Sequence, residues 1–191
     1  MKNENYQFVD LGLTVKWASC NVGANTPEEY GDFFSWGDIE TKPSYTGNSC
    51  RTYERAVYRC GKYSPYKKGI DEICTDAEYD AARANWGGAW HMPTKAHIDE
   101  LVSRCSWEWV EHGEVKGYKV TGPSGNSIFL PAAGWIYGSS HTNVGVVGAY
   151  WCSTPIMAGN KEAYRLLFAN GEILVQGYNR YCGFSIRPVC E

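Results

Sequence analysis

The sequence predicts an α+β protein made of short antiparallel sheets, two main helices and long irregular loops, and three observations predict it. The 191 residues combine 8 Trp, 14 Tyr and 6 Phe with 21 Gly, a mixture that suits short strands joined by many turns. Asn170-Gly171 stands between two runs of alternating apolar residues, the strongest two-residue hairpin signal. Behind Thr94, residues Ile98, Leu101, Val102 and Cys105 fall at i, i+3, i+4 and i+7, one apolar face of a helix. With 43% hydrophobic and 20% charged residues, residues 1–191 are expected to form one globular domain and neither a coiled coil nor a disordered chain. A net charge of -3 offers nucleic acid no basic field. No stretch approaches the roughly 18 apolar residues of a membrane span, and the opening from Met1 to Tyr6 is polar, without a hydrophobic signal core.

The elements follow in order. Phe8 to Leu13 and Val15 to Ala18 read as two short strands around Gly12 and Thr14. Thr26-Pro27-Glu28-Glu29 offers an N-cap, a first-turn Pro and a capping-box Glu, so one helical turn is expected before Gly31. Residues 41–74 lack periodicity and form an irregular insertion packed by its own aromatic rings. Thr75 with Glu78 starts a short helix to Ala84, stopped by Asn85-Trp86-Gly87-Gly88. Thr94 caps the best helix, and strands resume at Tyr118 to Thr121, a turn at 122–126, and Ser127 to Pro131 as a hairpin.

The hairpin register can be written down. With Asn170-Gly171 as the turn, Phe168 opposes Ile173 and Leu166 opposes Val175 on a core face. Leu167 opposes Leu174 and Arg165 opposes Gln176 on the other, with Tyr178 and Tyr181 just beyond. That second face is either covered by a neighbouring loop or left as an exposed apolar and aromatic patch, which is unusual for a free surface.

Candidate chemistry is sparse. The eight cysteines, at 20, 50, 60, 74, 105, 152, 182 and 190, contain no C-x-x-C, so neither a zinc site nor a dithiol redox pair is expected. Cys50, Cys60 and Cys74 could pair in an oxidising compartment or remain thiols, and Cys105 and Cys190 read as packing residues. His91 and His97 flank the Thr94 helix start without a third partner and make a poor site. There is no G-x-S-x-G, H-E-x-x-H or phosphate-cradling Gly-Lys-Ser/Thr loop. No catalytic residue, metal or cofactor is expected.

Several blocks carry a resemblance. They are Phe8 to Leu13 with Val15 to Ala18, Tyr30-Gly31-Asp32 with Trp36-Gly37, Trp86-Gly87-Gly88 through Thr94, Ser127 to Gly134, Tyr150 to Thr154, and Asn179-Arg180 to Val189. In order and together they resemble the formylglycine-generating-enzyme-like branch of the C-type lectin fold, and within it the variable proteins of diversity-generating retroelements and their undiversified paralogues in gut bacteria. The resemblance implies a C-type lectin-like fold with a recognition face between residues 141 and 182, where template asparagine codons are rewritten. The positions it singles out for ligand binding are Val147, Ala149, Cys152, Arg165, Leu167, Leu174, Gln176, Gly177, Tyr178, Tyr181 and Cys182. It implies that the outer face of the 165–176 hairpin is exposed, that Cys152 and Cys182 are unpaired thiols in a binding face, and that the protein acts outside the cell or at its surface. Trp17, Trp36, Trp86, Trp90 and Trp151 would be scaffold. His97 and Ile98 stand where the family has Glu and Trp, so the Thr94 capping box is expected to be lost.

The function this implies is binding of a protein or glycan ligand by a hypervariable face, not catalysis. The alternative within the same resemblance is a copper-dependent thiol oxidase using Cys182 and Cys190, although Cys190 lies past the last strand motif. A calcium-dependent sugar lectin is opposed by the absence of Glu-Pro-Asn, Gln-Pro-Asp and Trp-Asn-Asp triplets, with Glu172 the sole hairpin carboxylate on that face.

Overall fold

The computed structural model describes residues 6–53, 58–59, 62–63, 72–74, 76–156 and 161–191. The first half holds strands β1 (Phe8–Val9), β2 (Lys16–Ala18), β3 (Tyr58–Arg59) and β4 (Lys62–Tyr63), then helices α1 (Ala81–Trp86) and α2 (Lys95–Arg104). The second half is strands: β5 (Ser106–His112), β6 (Val115–Thr121), β7 (Ser127–Pro131), β8 (Trp135–Tyr137), β9 (Ser140–Thr142), β10 (Val147–Ile156), β11 (Glu162–Ala169), β12 (Glu172–Asn179) and β13 (Val189–Cys190). They form three-stranded sheets β1-β2-β13, β5-β6-β7 and β10-β11-β12, with two-stranded β3-β4 and β8-β9. All the ladders are antiparallel, so the protein is mixed α+β with short antiparallel sheets and two helices.

Local chemistry accounts for the helices. Thr94 caps α2 by accepting from His97 N at 3.2 Å, and His97 Nδ1 accepts from Thr94 N at 3.3 Å. The capping box therefore survives, contrary to the expectation that His97 destroys it. A neutral imidazole nitrogen is an acceptor as a carboxylate is, and burial keeps His97 on the neutral side by lowering its pKa. Helix α1 starts later than expected, at Asp80, whose side chain accepts from Arg83 N; Thr75 lies outside the described residues. The Thr26–Glu29 segment closes only a turn, with Glu29 N donating to Thr26 O at 3.3 Å while the Glu29 carboxylate accepts from Asn25 N at 2.7 Å. Of residues 41–74, the described part beyond Tyr45 carries no long strand, only β3 and β4.

The long sheet feeds a core on each face. Leu166, Phe168, Tyr150 and Cys152 enter one core with Ile98 and Leu101 of α2, while Ala149, Trp151 and Ala163 enter a second with Trp36, Phe34 and Phe184. Two indoles lace the second core: Trp36 Nε1 donates to Cys152 O at 2.9 Å, and Trp151 Nε1 to Phe34 O at 2.8 Å. Trp17, Trp36 and Trp151 are all fully buried, in keeping with a scaffold role.

One cation ties the sheets together. Arg187 is 1% exposed and donates to Asn21 Oδ1 (2.9 Å) and to the carbonyls of Ala18 (3.0 Å), Ser19 (2.7 Å) and Phe129 (2.8 Å). Asn21 in turn donates to Tyr30 O at 2.9 Å. Segments far apart in sequence thus share one planar, five-donor group.

Arg187→Met should take the guanidinium donor from four oxygens, three of them buried. At about 1–3 kcal/mol for each orphaned group, the loss should exceed about 4 kcal/mol in urea unfolding; a loss below about 1 kcal/mol would show that the hub is not structural. A second outcome concerns Asp80, which also accepts from Met92 N at 2.8 Å. Burial pushes its carboxyl from 3.8 up to about 6. Because the folded value is the higher one, the neutral form favours the folded state, and stability from this group declines as pH rises from about 4 through about 6, by up to roughly 3 kcal/mol. Unfolding curves of Asp80→Asn against pH should lack that component of the slope.

Candidate functional site

The hairpin that carries the expected site has the register written from its sequence: Arg165 pairs with Gln176, Leu166 with Val175, Leu167 with Leu174 and Phe168 with Ile173. Gly171 takes φ 86°, as an Asn-Gly turn requires. On the other side of β11, Ala149 pairs with Leu167 and Trp151 with Arg165. Cross-strand partners share a face, so Ala149, Trp151, Arg165, Leu167, Leu174, Gln176 and Tyr178 all belong to one side of the sheet.

That side is graded from covered to open. Leu174 is 38% exposed and Gln176 is exposed, while Leu167, Tyr178 and Tyr181 are half-buried against the Trp36 core. Val147 is half-buried at the start of β10, opposite Ala169. The expected exposure is corrected at four positions: Ala149, Cys152, Arg165 and Cys182 are buried. Ala149 and Cys182 lie in the Trp36 core, because segment 183–186 runs beside β10 through a Tyr150–Ser185 bridge and brings Phe184 over this face. Cys152 points the opposite way, into the α2 core. At Gly177 a Cβ would stand 2.2 Å from Ile156 Cδ1, so a side chain there displaces the end of Ile156.

Residues outside the expected set extend the patch. Tyr181 meets Tyr53 at 4.8 Å and Tyr137 at 5.9 Å between ring centroids, and half-buried Trp135 packs on the same core as Leu167 and Tyr178. Gly134 bridges Gly148 in β10, and Ile136 bridges Gly183, which seats β8 beside segment 183–186. Among the described residues, the exposed large apolar side chains are Phe8, Tyr137 (58%), Val144, Val146 and Leu174. All but Phe8 come from β8, the turn into β10 and β12. The available sequence signal was the number of Tyr residues, but Tyr53 and Tyr137 join the patch only through tertiary contacts.

Arg165 sits at the covered end. Its guanidinium carbon lies 4.0 Å from the Tyr178 ring centroid and 5.0 Å from that of Phe184, within cation–π range. Burial pushes its pKa down to about 10, since a desolvated cation gives up its proton more readily.

Other candidates have structural employment. His91 Nδ1 faces Met92 O at 2.9 Å, and His97 completes the cap of α2. Cys20, Cys50, Cys74, Cys105, Cys152, Cys182 and Cys190 are free thiols; Cys60 lies outside the described residues. Burial pushes the Cys182 thiol up to about 12 and raises Cys190 as well, whereas a copper ligand must be a thiolate. Among the described residues no cluster of three His, Cys, Asp or Glu side chains is placed to hold a metal, and no helix is long and apolar enough to cross a membrane. A separate cavity of about 380 Å³ lies between Val9, Ile128 and Phe129, with Glu28, His112 and Lys119 around it; Glu28 and His112 stand 3.4 Å apart.

No family model, curated protein or solved structure matches the chain.

The grading of the face makes a stability prediction. Leu174→Ser should change unfolding free energy by less than about 0.5 kcal/mol, as at ordinary surface positions. Cys152→Tyr inserts a ring into a closed core and should cost more than about 2 kcal/mol. Equal costs measured by chemical denaturation would contradict the assigned burial.

Proposed function

We propose that the protein is a ligand-binding protein with a C-type lectin-like scaffold, a variable protein of a diversity-generating retroelement or an undiversified paralogue, acting at the cell surface or outside it. The observation that carries this reading is a pair of partly open apolar features that share the Trp36 core, the Leu167–Leu174 pair and the Tyr53–Tyr181–Tyr137 ring cluster, with Val144 and Val146 exposed in the turn that leads into β10. Tyr-rich surfaces give large, rigid contact area at low entropic cost, and exposed apolar patches mark interaction sites. The mixed α+β architecture and the buried tryptophans support the scaffold part. Diversification on this scaffold acts at Val147, Leu167, Leu174, Tyr178 and Tyr181, the expected positions that keep part of their side chains at the surface, with Gln176 a ligand contact beside them.

A protein ligand suits the patch better than a glycan. Val144, Val146 and Leu174 offer aliphatic surface, which pairs with apolar side chains, whereas a sugar needs polar partners for its hydroxyls. Two experiments test the reading. In the flanking DNA, a near-identical repeat differing only at adenines is expected for a diversified protein. Independently, Tyr137→Ala, Val146→Ser and Leu174→Ala combined should weaken binding to a retained protein or glycan ligand, found by screening purified surface proteins and a glycan array, by at least about 100-fold. The same variant should keep its melting temperature within about 4 °C of the parent. Undiminished binding, or unfolding of the variant, would overturn the assignment. Leu167 and Tyr178 are left in place because they pack on the core.

A further inference from the structure

Three arginines are buried, and two of them are answered by oxygen. Arg187 donates to four oxygens, as described. Arg180 donates through Nε to Glu162 O at 3.0 Å and through Nη1 to Thr52 O at 3.5 Å, with Trp36 stacked at 4.2 Å. Arg165 differs. It is 4% exposed, Nε and Nη1 are buried with no hydrogen-bond partner, and it makes no ion pair among the described residues. The rings of Tyr178 and Phe184 answer its charge, but they do not satisfy its N–H donors.

The surroundings show from which side a partner can come. Phe184 and Cys182 are sealed in the core. Gln176, directly across on β12, is exposed, and Tyr178 is half-exposed. The open side therefore runs past Gln176 and the Tyr178 ring, beside the Leu167–Leu174 pair. A guanidinium presents N–H donors in a fork that matches the two oxygens of a carboxylate, and a desolvated setting strengthens that pairing.

We propose that Arg165 is the receptor for a carboxylate of the ligand, an acidic side chain with an apolar neighbour, which enters past Gln176 as the Tyr178 ring swings aside. The proposal rests on this face being the binding surface, and it adds the chemical class of the group bound at its base. It also accounts for the absence of an oxygen acceptor at Arg165 among the described residues, since the missing acceptor arrives with the ligand.

The probe is phenylacetate, a carboxylate joined to an apolar ring, with phenylacetamide as its neutral isostere. In the ¹⁵N-labelled full chain the Arg165 Nε–H resonance is assigned by its loss in Arg165→Met, a variant expected to fold because it removes an unpaired buried charge. At constant ionic strength, phenylacetate should move this resonance at concentrations at least about tenfold lower than phenylacetamide does. Gln176→Glu, which sets the chain's own carboxylate across from the guanidinium, should weaken the phenylacetate response by about tenfold or more. A response equal for both probes, one unchanged in Gln176→Glu, or none at Arg165 overturns the proposal. If phenylacetamide still shifts the Leu174 and Tyr178 amides, only the carboxylate inference falls; if neither probe shifts them and the patch variant also retains binding, the binding-face reading falls with it.

Discussion

The guanidinium of Arg187 is the constraint on which the rest of the structure depends. A buried cation without a carboxylate is costly unless its donors are filled, and here Asn21 and the carbonyls of Ala18, Ser19 and Phe129 fill those of Arg187. The requirement runs both ways, because those oxygens belong to β2, the loop after it and β7. Three segments must converge before the charge can leave water. Tyr150 lies next to this network, its hydroxyl donating to Pro131 O at 2.7 Å, so β10 is drawn to the same point.

With β10 held, the surface above it follows. The crossed indole bonds of Trp36 and Trp151 fasten segment 34–36 to β10, and the Phe34–Phe184 bridge continues that layer. The layer covers the Arg165 end of the hairpin and stops short of Leu174. A single sheet face is thereby divided into an interior half, which sets stability, and a half that is free to vary. Tyr181, at the edge of the layer, joins the two by touching Tyr53 and Tyr137. The contrast among the arginines follows the same division: those inside the layer meet backbone oxygen, and the one at its rim does not.

Much of this was legible in the residues themselves. Asn170-Gly171 determines the hairpin turn and, with it, every cross-strand pair of β11 and β12, because a two-residue turn leaves one register. The i, i+3, i+4 pattern behind Thr94 places Ile98 and Leu101 in the core. What was not legible depends on distant segments. The burial of Ala149, Arg165 and Cys182 requires Phe34, Trp36 and Phe184 to arrive, and periodicity within a hairpin carries no information about them. Strand β5 was missed for a related reason: Trp107 and Trp109 alternate with acidic residues directly after a helix, and only pairing with β6 gives the segment a partner. His97 misled because capping rules favour carboxylates and amides, while an imidazole nitrogen accepts equally well at 3.3 Å.

The central claim is that the partly open half of the β10-β11-β12 face, with the tyrosines at its edge, is where the protein meets its ligand. Amide hydrogen exchange with and without a retained ligand addresses it most directly. The account predicts protection confined to β8, residues 143–147, β12 and residues 178–181, with β1, β5 and β7 unaffected. Protection centred on the cavity between Val9, Ile128 and Phe129, with the hairpin unchanged, would contradict it.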